Sequence, residues 1–133
     1  MKKFVLLFLV LAVLALGSVN WKTNASASTG KQQALAVFRQ PIQVNGVTLK
    51  AGEYLFVHDD AAMNRGESCT YVYKGNAPLR EKLVVSFHCT PAQRAKATQF
   101  IVRTAENVPG TVELREIQFK GDTEAHLVPA MEH

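Results

Sequence analysis

Four histidines and two cysteines have the widest chemical repertoire in this chain: His58, His88, His126 and His133, with Cys69 and Cys89. Imidazole and carboxylate suit several divalent metals, so His58-Asp59-Asp60 joined by His88 or His126 is a conceivable cation site. No H-x-H or C-x-x-C spacing supports it. His88 and Cys89 are adjacent, and adjacent strand residues point to opposite faces, so that pair cannot grip one ion in a regular strand. A strand ending in polar loop residues accounts for His58 to Asp60 equally well. His58, Asp60, Ser68 and Ser86 can be assembled on paper into a hydrolytic triad, but no G-x-S-x-G or comparable nucleophile turn surrounds either serine. A redox role needs a reactive paired thiol motif, whereas these cysteines are a whole hairpin apart. The residues thus predict no catalytic, cofactor-binding or metal-binding position, and no cofactor.

The elements that would position these groups start with the stretch from Cys69 to Cys89. Folded as an antiparallel hairpin, one register sets Cys69 opposite Cys89, Tyr71 opposite Phe87 and Tyr73 opposite Val85, all on one face. Thr70–His88, Val72–Ser86 and Lys74–Val84 pair on the other face, and Asn76 to Lys82 form the loop. Directly opposed positions have the separation a disulfide needs. A Cys69–Cys89 bond closing this loop would stabilise a small domain by about 3 kcal/mol.

The remaining chain alternates with strand periodicity. Ala34 to Phe38 is a first strand ended by Pro41. Ile42-Gln43-Val44-Asn45-Gly46-Val47-Thr48-Leu49 is a hairpin about an Asn-Gly turn. Glu53 to His58 is apolar on both faces, as a central strand is. Asp59 to Ser68 lacks periodicity and reads as a loop. Thr90-Pro91-Ala92-Gln93 has an N-cap, an N1 proline and a glutamine three residues after the cap, which predicts a short helix over 91–96, with a continuing extended chain as the alternative. Thr98 to Thr104 and Thr111 to Lys120 are strands. The second slips phase, which calls for a bulge near Arg115 or Glu116. His126 to Val128 is a last short strand. About eight short strands with regular turns predict an all-β antiparallel sandwich or small barrel.

The amino terminus has the layout of a secretory signal: Lys2-Lys3, the apolar run Phe4 to Leu16, and Ala25-Ser26-Ala27 as a small-x-small site. Cleavage after Ala27 leaves 28–133 as one β domain, in the periplasm or outside the cell. The formal charge of +4 is carried largely by the leader. Without Lys2, Lys3 and Lys22, twelve basic residues face eleven acidic ones, a net charge of +1. That even, interspersed balance argues against nucleic acid as a partner and against a membrane surface once the signal is removed. Two cysteines in an exported chain also favour a disulfide over the alternatives, two buried thiols or a metal pair with a histidine.

Val44, Asn45, Gly46, Leu49, Ala51, Gly52 and Tyr54 form the pattern V-N-G-x-x-L-x-A-G-x-Y. It resembles a hairpin motif of small exported bacterial proteins of unknown function, with Lys50 where those usually carry proline. The resemblance implies an exported all-β domain and carries no catalytic residue across. The leading functional expectation is a non-enzymatic module that binds an unidentified protein or small molecule through its loops. A second is a small barrel carrying an apolar ligand lined by Tyr54, Phe56, Tyr71, Tyr73 and Phe87, although core packing is the commoner use of such residues. A hydrolase or metal site around His58 and Asp60 comes third.

Overall fold

Apolar alternation builds ten strands and one short helix in a computed structural model that describes residues 30–130. The proposed leader and its cleavage site lie outside the described residues. In chain order the elements are β1 (Lys31–Phe38), β2 (Ile42–Val44), β3 (Val47–Leu49), β4 (Gly52–Asp59), α1 (Asp60–Asn64), β5 (Thr70–Lys74), β6 (Leu83–Phe87), β7 (Thr90–Gln93), β8 (Ile101–Val108), β9 (Thr111–Gln118) and β10 (Glu124–Leu127). One sheet has the order β1-β4-β5-β6. The other runs β3-β2-β9-β10-β7, with β8 also paired to β9. Two sheets enclosing a shared core make this a sandwich and not a closed barrel.

Local signals dictated much of this. Asn45 and Gly46 both take positive φ, +48° and +81°, as the tight turn of the β2–β3 hairpin demands. Ile42 then faces Leu49, and Val44 faces Val47. The phase slip in β9 is a bulge: Arg103 pairs with Glu116 and Thr104 with Leu114, so Arg115 is skipped. Leu114, Glu116 and Ile117 are all buried as a result. Buried Glu116 accepts hydrogen bonds from Arg94 and Arg103, and Gln118 donates to the carbonyls of Ala95 and Asp122. These bonds tie the 94–97 segment and β8 to β9.

Three expectations are corrected. Residues 90–93 are not a helix start but strand β7, which pairs with β10 at the edge of its sheet. An edge ladder tolerates Pro91, because its missing N–H can lie on the unpaired side. The α-helix instead occupies the expected loop. Asp59 is its N-cap, its carboxylate accepting from the N–H groups of Ala61 and Ala62 at 3.0 and 3.4 Å. Five residues are too few for a helical period to show in sequence.

The third correction concerns the cysteine hairpin. The strands do pair antiparallel, but one residue away from the expected register: Thr70 faces Phe87, Tyr71 faces Ser86 and Val72 faces Val85. A further shift then sets Tyr73 opposite Leu83. Because side chains alternate, one step exchanges the faces. Thr70, Val72, Val85 and Phe87 enter the core, while Tyr71 and Tyr73 stay half-buried. Cys69 is no longer opposite Cys89, and both are free, buried thiols instead of the expected disulfide. The N–H of Cys69 donates to the Phe87 carbonyl, and that of Cys89 to Cys69 Sγ at 3.1 Å.

Candidate metal centre

The inner face of β4 supplies Tyr54, Phe56 and His58 to the space between the sheets. Cys69 precedes β5, which pairs with β4 so that His58 lies beside Thr70. Cys89 sits in the connection that leaves β6 in one sheet for β7 in the other. His126 comes from β10, across the sandwich. These four residues are between 0 and 1% exposed. Met63, on α1, is partly buried against the same core.

Cys89 is the hub. Its Sγ lies 3.4 Å from His58 Nε2, 3.7 Å from His126 Nδ1 and 3.7 Å from Met63 Sδ. One ligand atom each from His58, Cys69 and Cys89 lies within 4.8 Å of the other two. A tetrahedral ion with sulfur at about 2.3 Å and nitrogen at about 2.0 Å holds adjacent donors roughly 3.5–3.8 Å apart. The contacts of Cys89 fall close to that spacing. The two imidazoles are stacked, with ring centres 3.8 Å apart and planes at 30°. Phe119 flanks both rings, and Phe100 and Phe56 continue the apolar wall.

This burial sets the protonation states. Desolvation, aided by the neighbouring His126, pushes the His58 pKa down to about 4, against a smaller opposing pull from Asp59. Desolvation also lowers His126, against the carboxylates of Glu124, Asp60 and Asp122. Burial pushes the Cys89 thiol up to about 12, and the contact with Cys69 adds to the rise. The histidines are therefore neutral at pH 7, the form that binds metals. The thiol keeps its proton until an ion replaces it.

Two buried side-chain atoms among the described residues lack a hydrogen-bond partner: His58 Nδ1 and His126 Nε2. Asp60 Oδ1 lies 3.2 Å from His58 Nδ1, close enough to bond but poorly aligned. A small rotation of Asp60 would complete a carboxylate–histidine pair that fixes Nδ1–H and leaves the Nε2 lone pair facing the sulfurs. Asp60 is held from behind by Gly30, whose φ is +68° and whose carbonyl accepts the Asp60 N–H at 2.9 Å. A Cβ on Gly30 would come within 2.9 Å of Asp60 Cβ.

Of the residues that sequence suggested for a cation site, His58 and His126 meet, with Asp60 behind. His88 does not: it is exposed, and its Nδ1 contacts the Glu67 carbonyl at 2.8 Å. Sequence offered Cys69 and Cys89 as a metal pair with a histidine only as an alternative to the disulfide, and it did not enlist Met63, whose position matches no ligand motif. The paper triad does not assemble around Ser86, which pairs with Tyr71 on the outer face while His58 points inward. The five aromatics suggested as ligand-lining separate as well. Tyr54, Phe56 and Phe87 fill the core, and Tyr71 and Tyr73 lie on the outer face. No protein family, curated protein or solved structure matches this chain.

Proposed function

We propose that this chain is an exported, non-enzymatic β domain that binds a soft transition-metal ion in its interior at the cluster of His58, Cys69 and Cys89, with Cys89 as the hub. One observation carries the reading: three thiol and imidazole donors converge within 4.8 Å among fully buried residues. A core needed only for packing gains little from such groups, since burying polar atoms without partners costs free energy. An ion at the sulfurs would give His58 Nε2 and Cys89 Sγ a stronger partner than their mutual 3.4 Å contact. Thiolate and imidazole together suit zinc and copper better than magnesium or calcium. Complete burial supports holding an ion over turning over a substrate, because catalytic metal sites keep an open position. Elemental analysis after anaerobic reconstitution with copper(I) or zinc(II) and extensive dialysis should find one equivalent per chain. Protein that retains neither ion would remove the metal from the proposal.

Export rests on the leader layout of residues 1–27 and on the hairpin motif at Val44–Tyr54. Sequencing the amino terminus of protein recovered outside the cytoplasm should find Ser28 first. Protein that stays in the cytoplasm and begins at Met1 would remove export from the proposal.

A further inference from the structure

We infer that the ion is copper(I) and that Met63 is one of its ligands. This rests on the metal-binding reading above and narrows it. Zinc(II), a borderline ion, takes thiolate, imidazole and carboxylate ligands, whereas a neutral thioether suits the softer copper(I). Met63 Sδ stands 3.7 Å from Cys89 Sγ, the separation expected of two sulfurs bound to one ion. The hub sulfur thus has a thioether on one side and the Nε2 atom of His58 at 3.4 Å on another. Cys89, His58 and Met63 form a three-donor set in which only Cys89 must lose a proton. One thiolate balances one copper(I) charge, so the buried site stays neutral.

The two other groups favour the same ion. Cys69 Sγ already has thiol partners: it accepts the Cys89 N–H at 3.1 Å and faces the Phe87 carbonyl at 3.8 Å. These contacts hold it beside the Cys89–His58–Met63 set, and zinc(II) completing four donors with Cys69 would have to break them. His126 is stacked on His58 at 3.8 Å, but two imidazoles bound end-on to one tetrahedral ion have ring centres about 5 Å apart. Zinc(II), which prefers four ligands, would have to open the stack to recruit His126. Copper(I) accepts lower coordination and leaves the stack intact. The position of Met63 follows from α1: the Asp59 cap starts the helix, and the N–H of Gly66 donates to the Met63 carbonyl as it ends.

The test compares the reduced full chain with Met63→Leu, a near-isosteric change that conserves apolar volume. Affinity for copper(I) is measured anaerobically against a chromogenic copper(I) chelator, and affinity for zinc(II) against a zinc indicator. X-ray absorption at the copper edge counts sulfur scatterers in both proteins. The expected result is tighter binding of copper(I) than zinc(II), with copper affinity lowered by at least about tenfold in Met63→Leu, zinc affinity changed by less than about threefold, and one sulfur lost from the copper shell, the readout that separates a ligand from a residue that only orients one. Retention of the sulfur count and of copper affinity in Met63→Leu would overturn the inference, as would preferential zinc binding, and both would leave the metal site standing. Failure of the unsubstituted chain to bind either ion would remove the metal-binding reading itself. Unchanged thermal unfolding of the metal-free variant separates ligand loss from misfolding. Should Met63→Leu unfold, the otherwise unsubstituted chain labelled with selenomethionine decides: a copper shell without selenium overturns the assignment.

Discussion

Cys89→Ser should abolish stoichiometric metal binding, while His88→Ala, one residue away, should leave it unchanged. Cys89 Sγ is the atom that His58, His126 and Met63 all approach, at 3.4 to 3.7 Å. Serine keeps the size of the side chain but replaces a thiolate with an alcohol, which stays protonated and binds soft ions poorly. The expected loss in affinity is at least about 100-fold, beyond the range found for residues that only orient ligands. The new hydroxyl can donate to His58 Nε2, so the metal-free variant should stay folded, at a cost of roughly 1–2 kcal/mol. His88 is exposed and contacts the Glu67 carbonyl, away from the cluster. Metal content and competition titration on both variants provide the check. A full equivalent held by Cys89→Ser with unchanged affinity would sink the hub assignment.

The metal-free protein should lose about 3 kcal/mol of stability between pH 6.5 and pH 4 through His58 alone. The folded chain holds this imidazole neutral until about pH 4, whereas the unfolded chain protonates it near 6.5. Between those values the unfolded state binds the extra proton, so stability falls as pH falls, by up to about 1.4 kcal/mol per unit. The contribution is fully present above pH 6.5 and gone below about pH 4. His126 shifts in the same direction and adds to the loss. The groups facing His58 are His126, Cys89 and the carboxylates of Asp59 and Asp60, of which Asp59 opposes the shift. Glu116, whose pKa is lowered first by its bond to Arg94, contributes further loss only below its ordinary value of 4.5. Urea unfolding of chelator-treated protein at intervals from pH 7.5 to 4 measures the slope. His58→Gln should reduce the slope above pH 4.5 and leave the part that His126 contributes. An unsubstituted profile flat from 6.5 to 4.5 would show that His58 is not buried in its neutral form.

The sequence by itself determined what is decided within a few residues. Asn45-Gly46 specifies its hairpin because a two-residue turn needs positive φ at both positions. Alternation specifies the strands, and the slip between Leu114 and Ile117 specifies the bulge at Arg115. Each is a local steric or solvation requirement that depends little on the rest of the fold. The all-β class follows from their sum, whereas the choice of a two-sheet sandwich over a small barrel was made by tertiary packing. Local signals failed where tertiary pairing competes with them. Thr90-Pro91-Ala92-Gln93 carries helix-start chemistry, yet β10 offers it a ladder. The expected cysteine register satisfied three side-chain pairs, yet the core took Thr70, Val72, Val85 and Phe87 and moved the tyrosines outward. That single step decided between a disulfide and two thiols. Sequence could offer His58, His126 and the two cysteines as candidate ligands, but not that they meet. His58 and His126 stand 31 and 37 positions from Cys89, so their meeting has no spacing signature. It arises because β4 and β10 belong to opposite sheets and the chain crosses between those sheets at Cys89. Only the packing of one sheet on the other brings the donor atoms together and removes the water that would otherwise hydrate them.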